Sequence, residues 1–123
     1  MGVFRVSIEV GDPNGERFEP VEALLDTGAS YTTAPASLLR RLGVETQERR
    51  PFLLADARTI ERDIGQTWLR IDGRRLMTIV VFGDEGAACL LGAVTLEEFG
   101  LGVDPIGRKL IAVPGYLMAA AAR

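Results

Sequence analysis

Leu24-Leu25-Asp26-Thr27-Gly28-Ala29-Ser30 is the stretch that decides this chain. A hydrophobic run ends abruptly in an acid, a small hydroxyl residue and a glycine. That order predicts a buried strand delivering one carboxylate to a tight loop, because aliphatic residues suit a strand interior while Asp and Gly suit turns. Asp-Thr-Gly occurs once in the chain. Chemistry that needs two facing carboxylates would therefore need two chains. Taken alone, the triplet has a plainer reading, a turn aspartate that caps a loop amide.

Upstream, Phe4, Val6, Ile8 and Val10 alternate with Arg5, Ser7 and Glu9, the pattern of a half-buried strand over 4–10. Gly11-Asp12-Pro13-Asn14-Gly15 is a dense turn signal. A second strand is predicted over 17–25, with Phe18, Val21, Ala23 and Leu25 toward the core. Pro20 marks an irregularity or an edge position within it.

Downstream, Pro35 to Leu42 reads as a short helix with Leu38, Leu39 and Leu42 on one face and Gly43 as its stop. Residues 52–55 and 59–64 read as strand arms around Asp56-Ala57-Arg58. Residues 68–71 and 76–82 flank Asp72-Gly73, a strong hairpin signal. Leu90-Leu91-Gly92 ends a further strand, and 94–99 is a short helix closed by Gly100. Residues 109–113 form a last strand before the tail 115–123, which holds four consecutive alanines at 119–122. The sum is a mostly β domain, closed or sandwiched, with one or two short helices. No composition shift marks a linker, so 1–123 is expected to be one domain.

Two signatures now stand in order. Ala23-Leu24-Leu25-Asp26-Thr27-Gly28-Ala29 comes first, and Leu90-Leu91-Gly92 with the helix Ala93-Val94-Thr95-Leu96-Glu97-Glu98-Phe99 behind it comes second. In both respects, and over nearly its whole length, the chain resembles the retropepsin-like aspartic peptidases, the group of retroviral proteases and small single-domain bacterial relatives. Residues 100–105 and 110–114 resemble the ending of the bacterial members. The resemblance implies a closed retropepsin-like β-barrel that carries half of an active site. It implies a homodimeric aspartic endopeptidase in which Asp26 of each subunit supplies one of two catalytic carboxylates. Thr27 would bond the opposite loop across the two-fold axis. Gly28, with Thr27, would support the loop and dimer, and would also let substrate backbone approach closely. Ala29 is small for a similar reason. Ser30 would bond substrate backbone or brace the loop. The hairpin tip at Ala57 and Arg58 takes the place of the family's flap and would touch substrate, although it lacks the glycine-rich tip of retroviral flaps. Gly92 is expected to support the site from beneath as a turn or helix-start glycine. Trp68 is core or cleft wall.

The physical logic of such a pair is general. Hydrolysis by water needs a base for the water and an acid for the carbonyl oxygen or leaving nitrogen. Two close carboxylates cannot both ionise readily, so they share a proton and divide the roles.

Composition narrows the other classes. The chain has 123 residues, 47 % hydrophobic and 25 % charged, with a net charge of -3. That balance suits an ordinary globular domain and offers no basic face for nucleic acid. Arg40-Arg41, Arg49-Arg50 and Arg74-Arg75 read as solvated surface between acids. No histidine is present and Cys89 is the one cysteine. A Ser-His triad, a Cys-His pair and a Cys/His zinc site are thereby excluded, and neither metal nor other cofactor is expected. Cys89 lies in an apolar run and reads as a core thiol. The N-terminus lacks a leader pattern and no apolar run approaches bilayer length, so no membrane association and a cytoplasmic setting are expected. Against the peptidase stand two other readings. One is a non-catalytic dimeric module of the same fold that grips an extended peptide by strand pairing. The other is an interaction or processing domain of a larger protein. The intact Asp-Thr-Gly favours the enzyme, acting on a peptide or protein.

Overall fold

The alternation of residues 4–10 produces the first strand, β1 (Arg5–Gly11), with Ile8 and Val10 inward. The computed structural model describes residues 4–117. After the turn comes β2 (Phe18–Leu25), antiparallel to β1. Then follow β3 (Thr32–Pro35), α1 (Ala36–Arg41), β4 (Glu48–Leu53), β5 (Thr59–Ile71), β6 (Arg74–Gly83), β7 (Cys89–Leu91), α2 (Ala93–Glu98), β8 (Leu101–Asp104) and β9 (Lys109–Ala112). The large sheet runs β1-β2-β7-β3-β6-β5-β4. A further pairing of β1 with β5, at Val10 opposite Leu69, closes the first six strands of that order into a barrel. β4 is left outside as an arm on β5. β8 and β9 make a separate two-stranded sheet. The mostly β expectation with two short helices is met.

The barrel interior is aliphatic. Ile8, Val10, Leu25, Leu69, Ile71, Val80 and Leu91 are each at most 2 % exposed. Full burial of one such side chain is worth about 1.5–3 kcal/mol, so this cluster outweighs the ion pairs, which lie at exposed or half-exposed positions where screening leaves them little. Cys89 joins the core, and burial pushes its thiol up to about 11, which keeps it protonated and unreactive.

Local rules account for several joints. Asp72 and Gly73 both have positive φ, 51° and 79°, as a two-residue hairpin turn with the right twist requires. Pro35 serves as the N-cap of α1, and Gly43, at φ 84°, stops it. Pro20 faces Glu9 on β1, while the ladder from β2 to β7 begins only at Ala23. Pro20 therefore sits on an edge, where its missing N–H leaves no gap. Phe18 and Val21 are half-buried rather than core; the Arg70 guanidinium stacks 3.8 Å above the Phe18 ring.

Three features depart from the sequence reading. The expected arms 59–64 and 68–71 are one continuous strand, β5, and its Gly65 is a point of close approach. A Cβ there would lie 2.4 Å from the Glu45 carbonyl oxygen. β4 begins at Glu48 rather than at residue 52, so the arginine pair at 49–50 belongs to a strand. β3 and β8 carry no period-2 signal long enough to read from four residues each. Of the tail, 118–123 lie outside the described residues; Tyr116 and Leu117 are exposed.

Asp12 organises the first turn. Its Oδ1 accepts the N–H groups of Glu16 at 2.7 Å and Arg17 at 2.8 Å. The Arg17 amide, first, and that of Glu16 hold its carboxyl below the ordinary carboxylate value of 3.8. Because the folded state favours the ionised form, this stabilisation is present above that ordinary value and is lost as pH falls below it. Asp12→Ala should lower stability at neutral pH, and the gap to wild type should narrow in denaturation series taken down to acid pH. A gap independent of pH would show that the carboxylate does not brace the turn.

Candidate active site

The two sequence signatures become neighbours through one parallel pairing. β2 runs beside β7 with Ala23 opposite Cys89, Leu24 opposite Leu90 and Leu25 opposite Leu91. Both strands end at the same level, so the loop after β2 lies against the start of α2.

Asp26 opens that loop, half-buried. Its N–H donates to the Leu91 carbonyl at 3.0 Å, extending the β2–β7 contact by one residue. Its own carbonyl accepts the Ala29 N–H at 3.1 Å, which makes 26–29 a tight turn. Its Oδ1 accepts the Gly28 N–H at 3.0 Å. That bond fixes the carboxylate's rotation about the side chain, and it is also the capping role that a plain turn aspartate would play. A Cβ on Gly28 would come within 3.2 Å of the same Oδ1, so a larger residue would crowd the carboxylate.

The far half of the loop is held by helix α2. The first N–H groups of a helix have no partners within it. Here the Ala93 N–H donates to the Ala29 carbonyl and the Val94 N–H to the Ser30 carbonyl, both at 2.9 Å. The helix begins at Gly92 with no side-chain cap, because the loop's carbonyls perform that task. Gly92 is required on steric grounds. A Cβ there would lie 2.5 Å from the Tyr31 carbonyl carbon and 2.6 Å from its oxygen.

Gly28, Ala29 and Ser30 form the floor of a groove of about 610 Å³. Leu90 of β7 joins the floor, Phe52, Leu54 and Ile60 form one wall, and Val81, Ala87 and Ala88 line the other side. The groove is thus apolar above a polar backbone floor, the usual make-up of a ligand site. Ala57 and Arg58 are not brought to it. They stand exposed at the tip of the β4–β5 hairpin, where Ala57 has φ 71° and Asp56 accepts both the backbone N–H and the Nε of Arg58.

Tyr31, Phe52 and Arg50 are among the groove residues that escaped the sequence reading. Tyr31 packs edge-on against Phe52, with ring centroids 6.3 Å apart. Arg50 donates from Nη1 to the Tyr31 hydroxyl at 3.0 Å, and its guanidinium lies 5.7 Å from the Tyr31 ring centre. The second residue of the pair at 49–50 is therefore a half-buried groove residue rather than solvated surface. Alternate residues of β4 point the same way, so a strand assignment would have separated Arg50 and Phe52 from Arg49.

On its other side the loop meets an apolar face. Thr27 shares a second depression, of about 650 Å³, with Leu96 of α2, Leu101 and Val103 of β8, and Val113 and Tyr116 beyond β9. Ile111 and Val113 are each 40 % exposed and Tyr116 is 82 % exposed. Among the described residues no helix is long and apolar enough to cross a membrane.

Comparison with known proteins agrees with this architecture. The simian foamy virus (mac) protease superposes with a TM-score of 0.56 at 16 % identity, over 78 % of this chain and 94 % of that one. The EIAV protease, solved with a bound inhibitor, gives 0.55 at 20 % identity, over 89 % and 93 %. At such identities the likeness is one of fold. No curated protein sequence matches the chain significantly. A family model for aspartyl proteases, however, matches residues 6–95, from β1 through the second signature into α2. The chain belongs to the aspartyl protease family, and its class of activity is that of an aspartic endopeptidase, a hydrolase.

Proposed function

We propose that two copies of this chain assemble one active site, each contributing Asp26, and that the pair hydrolyses peptide bonds in an extended substrate lying in the groove. The observation that carries this reading is the setting of the single Asp26. It is pinned to β7 through its amide and to its own loop through its carboxylate, beside a groove on one side and an exposed apolar face on the other.

The mechanism follows from the chemistry of paired carboxylates. Two of them across a two-fold axis share one proton, so the ionised one takes a proton from water while the protonated one donates to the carbonyl oxygen. In this reading Thr27, next to Asp26 and bordering the apolar face, contacts its symmetry mate. The face of α2, β8 and residues 113–116 supplies the burial that holds the copies together. Gly28, Ala29 and Ser30 offer backbone groups to an extended peptide, and Phe52, Leu54 and Ile60 give its side chains an apolar wall. The hairpin of β4 and β5 acts as the flap, closing over bound peptide and excluding water.

The test is concentration dependence. Specific activity against a mixed peptide library should fall as protein is diluted through the dimer dissociation constant, because activity then follows the dimer fraction. Undiminished peptidase activity from a protein that sediments as a monomer throughout would overturn the reading.

A further inference from the structure

Beneath the Asp26 loop runs a line of buried hydroxyls that none of the roles above uses. Thr32 on β3 and Thr95 on α2 are fully buried, and Thr78 on β6 is 2 % exposed. The Gly92 N–H donates to Thr32 Oγ1 at 3.1 Å. Thr32 Oγ1 donates to Thr95 Oγ1 at 2.7 Å. Thr95 and Thr78 Oγ1 are 3.0 Å apart, and Thr78 Oγ1 donates to Glu98 Oε1 at 2.6 Å. A hydroxyl has one proton to give. Thr78 gives its proton to the carboxylate, so the proton between Thr95 and Thr78 must come from Thr95. The direction of the whole line is then determined: Gly92, Thr32, Thr95, Thr78, Glu98, every hydrogen pointing toward the carboxylate.

The line ends on the peptide unit that holds Asp26. The Leu91–Gly92 peptide accepts the Asp26 N–H at its carbonyl and donates to Thr32 at its amide. Each bond in such a line polarises the next, so a charge at one end strengthens the bond at the other. An aligned line resists rotation of that peptide plane. We propose that Thr95 and Glu98 are positioning residues for the Asp26 site, acting through Thr32 and the Leu91–Gly92 peptide to hold the Asp26 backbone in register. Glu98 itself is exposed and its Oε1 is the acceptor that sets the direction.

The proposal rests on the hydrolytic reading, so the experiment has one readout that needs no turnover. In the full-length chain Thr95→Val keeps shape and removes the hydroxyl, and Thr95→Ser restores it. Misplacing a reacting group by an ångström can cost about 100-fold, and a slackened loop is expected to lower kcat about 10–100-fold with KM within about twofold. Thr95→Ser should recover most of the loss. Amide exchange at Asp26 and Gly92 should quicken by about tenfold in Thr95→Val. Thr67→Val is the matching control, since the buried Thr67 hydroxyl bonds Gly11 of β1 instead; it should lower stability and leave both readouts unchanged. Glu98→Ala, a surface change, should act in the direction of Thr95→Val, and Glu98→Gln, which retains an acceptor oxygen, should act less. If Thr95→Val does not fold, the Glu98 pair decides. Exchange unchanged at Asp26 and Gly92 in Glu98→Ala or in folded Thr95→Val overturns the proposal, as does a loss of kcat that Thr95→Ser fails to recover. Wild type without turnover would remove the hydrolytic reading alone, because amide exchange still tests the line.

Discussion

Asp26→Asn is expected to reduce peptide hydrolysis by about 10²- to 10⁴-fold, the loss that follows removal of a general acid–base group, while leaving the fold intact. The amide keeps the side chain's shape, and its oxygen can still accept the Gly28 N–H that Asp26 Oδ1 accepts at 3.0 Å. What it cannot do is take a proton from water. Substitution also removes like-charge repulsion across the two-fold axis, so the dimer should be no weaker. Turnover assays beside circular dichroism measure both halves of the statement. A mixing experiment sharpens it. If each chain gives one carboxylate, adding a ninefold excess of variant to wild type should lower wild-type activity about tenfold, because most wild-type chains then hold a variant partner. Additive activity with no suppression would mean that one carboxylate suffices, and residual cleavage by the pure variant at a tenth of the wild-type rate would remove Asp26 from the mechanism.

Gly92→Ala is expected to be the most damaging single methyl group that can be added near the site. Its backbone, at φ -95° and ψ 171°, suits any residue, so conformational strain is not the reason. The reason is contact: the new Cβ would sit 2.5 Å from the Tyr31 carbonyl carbon and 2.9 Å from the Thr32 nitrogen. These are backbone atoms at the entry to β3 and cannot swing aside. Relief requires β3 and the start of α2 to part, which also breaks the Gly92 bond to Thr32. Overpacking and a buried donor left unmade together should cost about 2–5 kcal/mol. Gly115→Ala, with open space around its Cβ, should change stability by no more than about 0.5 kcal/mol. Denaturant midpoints of the two variants against wild type are the measurement. Equal midpoints for Gly92→Ala and wild type would mean the strands separate freely and that Gly92 supports nothing.

Much of the fold was legible because it is dictated locally. Period-2 alternation produced β1, the Asp72-Gly73 pair its turn, and Gly43 and Gly100 the ends of their helices, since positive φ at those positions has few solutions other than glycine. The aliphatic run into Asp26 and the Leu-Leu-Gly signature marked two strand ends from composition alone. The resemblance to the retropepsin-like peptidases rests on those two marks and agrees with the family found for the chain.

Other features could only be decided in three dimensions. β3 is four residues long and ends in proline, so it has no signal of its own; it exists because β6 and β7 leave a slot between them. β5 continues through Gly65 because the Glu45 carbonyl needs the space that a side chain would fill. Arg50 turns from a surface charge into a groove residue only when β4 folds over Tyr31. The hydroxyls of Thr32, Thr78 and Thr95 are far apart in the chain and mark nothing locally, yet barrel closure stacks them under one peptide. Local conformational preference and hydrophobic pattern act over a few residues and can be read along a chain. Which carbonyl a glycine must make room for, and which hydroxyl meets which, depends on strands brought together from distant positions, and that is settled only by packing the barrel.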